Sequence, residues 1–169
     1  MIQNMAFSPF KGPFEEQITT WESKLRILLN SLDEWLYDQR QWLSLEPIFS
    51  SEDINRQLPA EGKRYAVADN IWRSLMSATK NDPSVLSIAT QRKTLEDLKE
   101  CHRLLDQIQS GLSEYIATKQ AAFPRFYFLS NKELLEILSQ TRNPRTVQPH
   151  LHKFVFSLFF FISSHFHFY

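Results

Sequence analysis

The sequence predicts an all-α protein, an elongated array of packed antiparallel helices with a short extended segment near residues 126–129. Three observations predict it. Apolar residues recur at helical spacing over long windows. Glycine is scarce, at Gly12, Gly62 and Gly111 only. The breaks between windows coincide with Pro47, Pro59 and Pro83.

The chain opens on an irregular lead-in, residues 1–13, broken by Ser8-Pro9 and Gly12-Pro13. Ile18, Trp21, Leu25, Leu28, Leu32, Trp35, Gln39 and Trp42 then follow the 3-4 spacing of a heptad seam. Leu29, Leu36 and Leu43 lie one position on and widen the stripe, which favours a helix packed in an array over a two-stranded coil. Glu22 and Arg26 sit at the i,i+4 spacing on the opposite face. From Ile18 to Trp42 this helix would run roughly 37 Å. Pro47 is expected to end it.

Ser50-Ser51-Glu52-Asp53 offers a new cap, with at most a short helix from Ile54 to Leu58. A third helix is expected from about Lys63 to Thr79, with Tyr65, Ala68, Trp72, Leu75 and Met76 on one side. After Asn81-Asp82-Pro83, a long helix is expected from about Ser84 to Ala121, weakened at Gly111. Ile88, Leu98, His102, Leu105, Leu112 and Ile116 keep its period.

In FPRFYFLSNKELLEIL, Phe126 to Leu129 reads as extended because it follows a proline and is rich in aromatics. Ser130 and Glu133 form an S-x-x-E capping box, and Leu129 and Leu134 occupy the staple positions. The helix they start should run from Asn131 to about Thr141, before Asn143-Pro144. The helical domain thus covers 14–153. Residues 154–169 hold seven of the fourteen phenylalanines and no charge, and read as an aggregation-prone tail. Its apolar run from Leu158 to Ile162 is far short of the ~20 residues of a membrane helix.

Nineteen basic and nineteen acidic residues give zero formal charge, which argues against nucleic acid or an anionic membrane as main partner. The first residues show no secretory leader pattern. A single cysteine, Cys101, excludes an internal disulfide and fits a reducing compartment. The widely separated glycines exclude the P-loop and Rossmann phosphate motifs. His150 with His152, and His165 with His167, lack the carboxylates or thiols of a metal site. Cys101 and His102 are adjacent on a helix and point about 100° apart, so they are read as a core cysteine and a seam histidine. Trp21, Trp35 and Trp42 are read as core. Glu96, Asp97 and Glu100 are read as a solvated face. Arg125 is the one charge that stands out: it either snorkels to solvent or, the reading favoured here, anchors the aromatic corner by pairing with a carboxylate or carbonyls. No catalytic, cofactor-binding or metal-ligating residue is assigned.

The motifs PFKGPFEEQITTWESKL, QWLSLEPIFSSEDINRQLP and FPRFYFLSNKELLEILSQT resemble the linker region of dynein heavy chains. The wording LEPIFSSEDI and LSQT is closer to the axonemal heavy chains, inner-arm types among them, than to the cytoplasmic one. The resemblance runs from about Pro9 to Lys153 and departs at Phe154, as expected of a truncated fragment. It implies a helical lever lying across a ring of AAA+ modules and bending as that ring hydrolyses ATP. It also implies a non-enzymatic segment without a cofactor of its own, ATP belonging to the parent motor's ring. The implied partners are that ring, the intermediate and light chains of the complex and, indirectly, microtubules. The implied location is the cytoskeleton of the ciliary axoneme in the cytoplasm. The breaks at Pro47, Pro59 and Pro83 become candidate joints. A different reading rests on the wide apolar stripe and the initial methionine: a stand-alone helical module for protein–protein interaction in cilia.

Overall fold

The computed structural model describes residues 4–5 and 7–139, which are all-α with no β-strand among them. Helix α1 spans Glu15–Phe49, entered through a 3₁₀ turn at Gly12–Phe14. Glu15 and Glu16 in its first turn suit the positive end of the helix dipole. Glu22 and Arg26 pair at 3.1 Å, as their spacing predicts.

Pro47 does not end α1; the helix runs on to Phe49. The proline lies in the last turn, where it removes one backbone hydrogen bond. Leu45 and Phe49 around it are buried, and Phe49 stacks on Tyr65 with ring centroids 4.9 Å apart. Burying two such side chains contributes about 3–6 kcal/mol, enough to offset a proline penalty of about 3 kcal/mol. The chain turns instead at Ser50-Ser51, where Asn55 Nδ2 donates to the carbonyls of Phe49 (2.7 Å) and Ser51 (3.1 Å). Helix α2 follows at Glu52–Gln57, with buried Ile54.

Helix α3 spans Pro59–Asn81 and so starts earlier than the apolar pattern suggests. Pro59 is its first residue, a position where a missing N–H costs nothing. The predicted long helix from Ser84 is divided. A single turn, α4 (Val85–Ile88), is separated from α5 (Arg92–Ala122) by residues 89–91. Thr90 Oγ1 donates to the Leu86 carbonyl at 2.5 Å and Gln91 Nε2 to the Ser87 carbonyl at 2.7 Å. These side chains satisfy carbonyls that the helix would otherwise use, while Ile88 and Ala89 are buried.

The segment predicted as extended near 126–129 is a 3₁₀ helix, Pro124–Phe128. Only its flanks, Phe123 and Leu129, are extended. Proline at the first position presets the helical φ, and the Phe126 and Leu129 amides bond the carbonyls three residues back. Helix α6 (Asn131–Ser139) then begins with the predicted capping box. Glu133 N–H donates to Ser130 Oγ at 3.3 Å, and Ser130 N–H donates to Glu133 Oε2 at 3.0 Å. Leu129 and Leu134 are both buried.

The described residues fall into two units, 4–5 and 7–42 with 66–105, and 43–65 with 106–139. In the first, Trp72, Leu75, Ile88 and Leu98 form a core on which Trp35, Trp42 and Met76 pack. In the second, Leu45, Ile54, Ile108 and Leu134 are among the fully buried side chains. Gly111 belongs there. A Cβ at Gly111 would lie 2.7 Å from Glu61 Oε1 and 2.8 Å from its Cγ, so glycine lets α5 pass the Glu61 side chain of α3.

Candidate functional site

The inward face of α1 in the first unit keeps only part of the predicted seam: Trp35 and Trp42 pack on the core, and Ile18, Leu25 and Leu28 are half-buried. Ser31 and Asp38 are completely buried, whereas Trp21, Leu32 and Gln39 are exposed. The buried column is displaced by one residue, about 100° around the helix. Ser31 Oγ has no hydrogen-bond partner among the described residues, but other polar groups along this face meet residues distant in sequence. Glu34 Oε2 meets His102 Nδ1 at 2.5 Å. The His102 ring stacks on Tyr37 with centroids 4.0 Å apart. The Trp42 indole N–H donates to Asp69 Oδ1 at 2.8 Å, and Arg73 both pairs with Asp69 and lies over the Trp42 ring. Glu34, Asp38 and Asp69 are the residues that sequence reasoning missed. The seven-residue step from Ser31 to Asp38 to Leu45 was the available signal.

Cys101 is completely buried, its Sγ 3.9 Å from the Ala68 carbonyl. Burial, reinforced by the Asp38 carboxylate, pushes its thiol up to about 12. A thiol so held is protonated at neutral pH and is a poor nucleophile. His102 turns to Glu34 rather than to the sulfur.

The tryptophans separate. Trp35 and Trp42 both pack on Trp72, with centroid distances of 5.7 and 6.1 Å. Trp21 is exposed, contrary to the core reading, with Lys24 over its ring. Glu100 forms a solvent-facing pair with Arg103, and hydrogen bonding from Arg103 lowers its carboxyl below the ordinary value. Arg125 does not anchor the corner: it is exposed on the 3₁₀ turn and makes no ion pair among the described residues. His150, His152, His165 and His167 lie outside the described residues, as does the whole of the tail, 154–169. Among the described residues no group of three or more His, Cys, Asp or Glu is placed to hold a metal.

What α1 presents outward is apolar. Leu29 is 60% exposed, Leu32 40% and Leu36 57%, at the 3-4 spacing of one face. Leu43, further along the same helix, is also exposed. Single exposed leucines are ordinary, but a row at helical spacing is a surface shaped for another helix or an apolar groove. This row is the candidate functional surface.

The chain matches the family described as "Dynein heavy chain, N-terminal region 2" over residues 1–163, a span that passes Lys153, where the resemblance seen in the sequence ends. It is 55% identical over 153 residues to Dynein axonemal heavy chain 1 of Homo sapiens, covering 90% of this chain and 4% of that protein. It is 49% identical over 151 residues to Dynein axonemal heavy chain 12 and 50% identical over 151 residues to Dynein axonemal heavy chain 3, both of Homo sapiens. Each of these matches covers 89% of this chain, and 5% and 4% of the respective relatives.

Proposed function

The chain belongs to the dynein heavy chain N-terminal region 2 family, and from that premise we propose that it forms part of the linker, the mechanical lever, of an axonemal heavy chain of the inner-arm type. The observation that carries the reading is the match over residues 1–163. It is supported by helices of 35, 23 and 31 residues, lengths suited to transmitting force along their axes. On this reading the segment is non-catalytic and carries no cofactor. The motor's AAA+ ring binds ATP and supplies the force, and intermediate and light chains join through the parent complex. Microtubules are reached only indirectly, and the site of action is the ciliary axoneme. The bendable positions are the breaks at Ser50-Ser51, Pro83 and residues 89–91 rather than Pro47.

The test is a motor in which residues 9–153 replace the matching stretch of axonemal heavy chain 1. Asp33→Gly and Arg40→Gly soften α1 at exposed positions, each by about 1 kcal/mol of helix propensity. The expected result is slower microtubule gliding at unchanged ATP turnover. Unchanged gliding, or turnover falling in step with speed, would overturn the lever reading.

The exposed row Leu29, Leu32 and Leu36 favours a second reading, a helical interaction module acting apart from a motor. It predicts that the tagged chain alone enters cilia and that Leu32→Gln with Leu36→Gln prevents this. Under the lever reading the chain alone does not accumulate there.

A further inference from the structure

Helix α1 carries one apolar face that nothing among the described residues covers. Leu29, Leu32, Leu36 and Leu43 are each between 40% and 60% exposed. At about 100° per residue they fall within roughly 60° of arc. Trp35, Trp42 and Asp38 point the other way, so the leucines cannot turn inward without pulling those side chains out.

One flank of that arc carries charge. Asp33 and Arg40 are exposed and lie on the same side of the leucines, seven residues apart. Asp33 forms no ion pair among the described residues, and Arg40 only donates its Nε to the Leu36 carbonyl at 3.0 Å. Elsewhere on α1 opposite charges meet along the helix, as Glu22 and Arg26 do at 3.1 Å. The positions three and four residues from Asp33 and from Arg40 hold no opposite charge. The two are themselves about 10.5 Å apart along the axis, too far to pair.

A second α1 laid antiparallel on the first supplies what is missing, because the same flanks of both helices then meet. With the two-fold axis between Leu36 and Tyr37, Asp33 of each copy faces Arg40 of the other, and the pair occurs twice. The same register sets Leu32 against the second copy's Leu43 and brings Leu36 beside its own copy at the axis. Sliding by one heptad either way sets Asp33 against Asp33 or Arg40 against Arg40. A parallel pair sets the charged flank against the opposite one, where Leu32 and Gln39 stand. The charges therefore select one orientation and one register, while the leucines supply the attraction.

We propose that this face of α1 is a self-pairing surface: two copies of the chain join through antiparallel α1 helices, with Leu32, Leu36 and Leu43 in the seam and two Asp33–Arg40 pairs beside it. The seam is short and exposed ion pairs add little, so the association is micromolar rather than nanomolar. It rests on the face alone and on neither reading of the function.

The test is sedimentation equilibrium of the full chain at micromolar concentrations, with ellipticity checking that each variant folds. A monomer–dimer equilibrium is expected. Asp33→Arg and Arg40→Asp should each weaken it at least about fivefold, because both pairs become like-charged. The double variant inverts both pairs and should recover the original dissociation constant within about twofold. An equimolar mixture of the two single variants should form a heterodimer, one flank being wholly basic and the other wholly acidic. Leu36→Gln should weaken the dimer at least about tenfold. A chain that stays monomeric leaves the face to a different helix and overturns self-pairing. Association that ignores both charge changes belongs to another surface, such as the phenylalanine-rich tail, and overturns it too. So does a double variant as weak as the single ones.

Discussion

Cys101 shows how one buried side chain reports on its surroundings. Its thiol, ordinarily near 9.0, is pushed up to about 12 in the folded chain by burial and the neighbouring Asp38 carboxylate. The folded state therefore holds its proton where the unfolded state gives it up. Stability from this group is complete below pH 9 and declines as pH rises from 9 towards 12, by at most about 1.4 kcal/mol per pH unit. Denaturant titrations at pH 8 and pH 10 should show the midpoint falling, and Cys101→Ala should flatten that fall. Iodoacetamide at pH 8 should modify the unfolded chain and spare the folded one. At Gly111, alanine would gain about 1 kcal/mol of helix propensity but would meet Glu61 Cγ as well as its carboxylate. Overpacking costs about 1–3 kcal/mol, and Glu61 is further held by Arg64 at 3.0 Å. Gly111→Ala should therefore destabilise the chain in a chemical melt. In an Glu61→Ala background the same change should stabilise it.

Among the elements, α1 gives the sharpest contrast between pattern and placement. Its leucine columns suggest that Leu32 is core and Trp72 only one of several apolar residues on α3. The structure reverses their weights. Trp72 is buried against Trp35 and Trp42, so Trp72→Ala should cost about 3–5 kcal/mol. Leu32→Gln and Leu36→Gln, on the exposed side, should each stay within about 0.5 kcal/mol in thermal melts. Helix α3, the Ser130–Glu133 cap and most buried positions of α5 were legible, because local periodicity and capping chemistry set them. The inward rotation of α1 was not. It depends on Glu34 finding His102 and Asp38 lying beside Cys101, contacts made with α5 that no window on α1 contains. The break at 89–91 was hidden for a different reason: Ala89-Thr90-Gln91 contains neither glycine nor proline.

For the whole molecule, the all-α class followed from helical periodicity and few glycines, whereas the division into two units did not. The boundary falls inside α1, α3 and α5, between Trp42 and Leu43, Tyr65 and Ala66, and Leu105 and Asp106. Nothing in composition changes at those places. The family relationship likewise rests on motif wording rather than on any reactive group, and the chain spans only 4–5% of its axonemal relatives' length. One consequence of the aromatic core is optical. Trp21, Trp35, Trp42 and Trp72 are all the tryptophans of the chain, and every one lies in the first unit. Indole emission is thus blind to the second unit, while far-ultraviolet ellipticity sees the helices of both. Since three helices carry residues of each unit, the two signals should fade together along a urea gradient. Emission lost ahead of ellipticity would reveal a half that melts by itself.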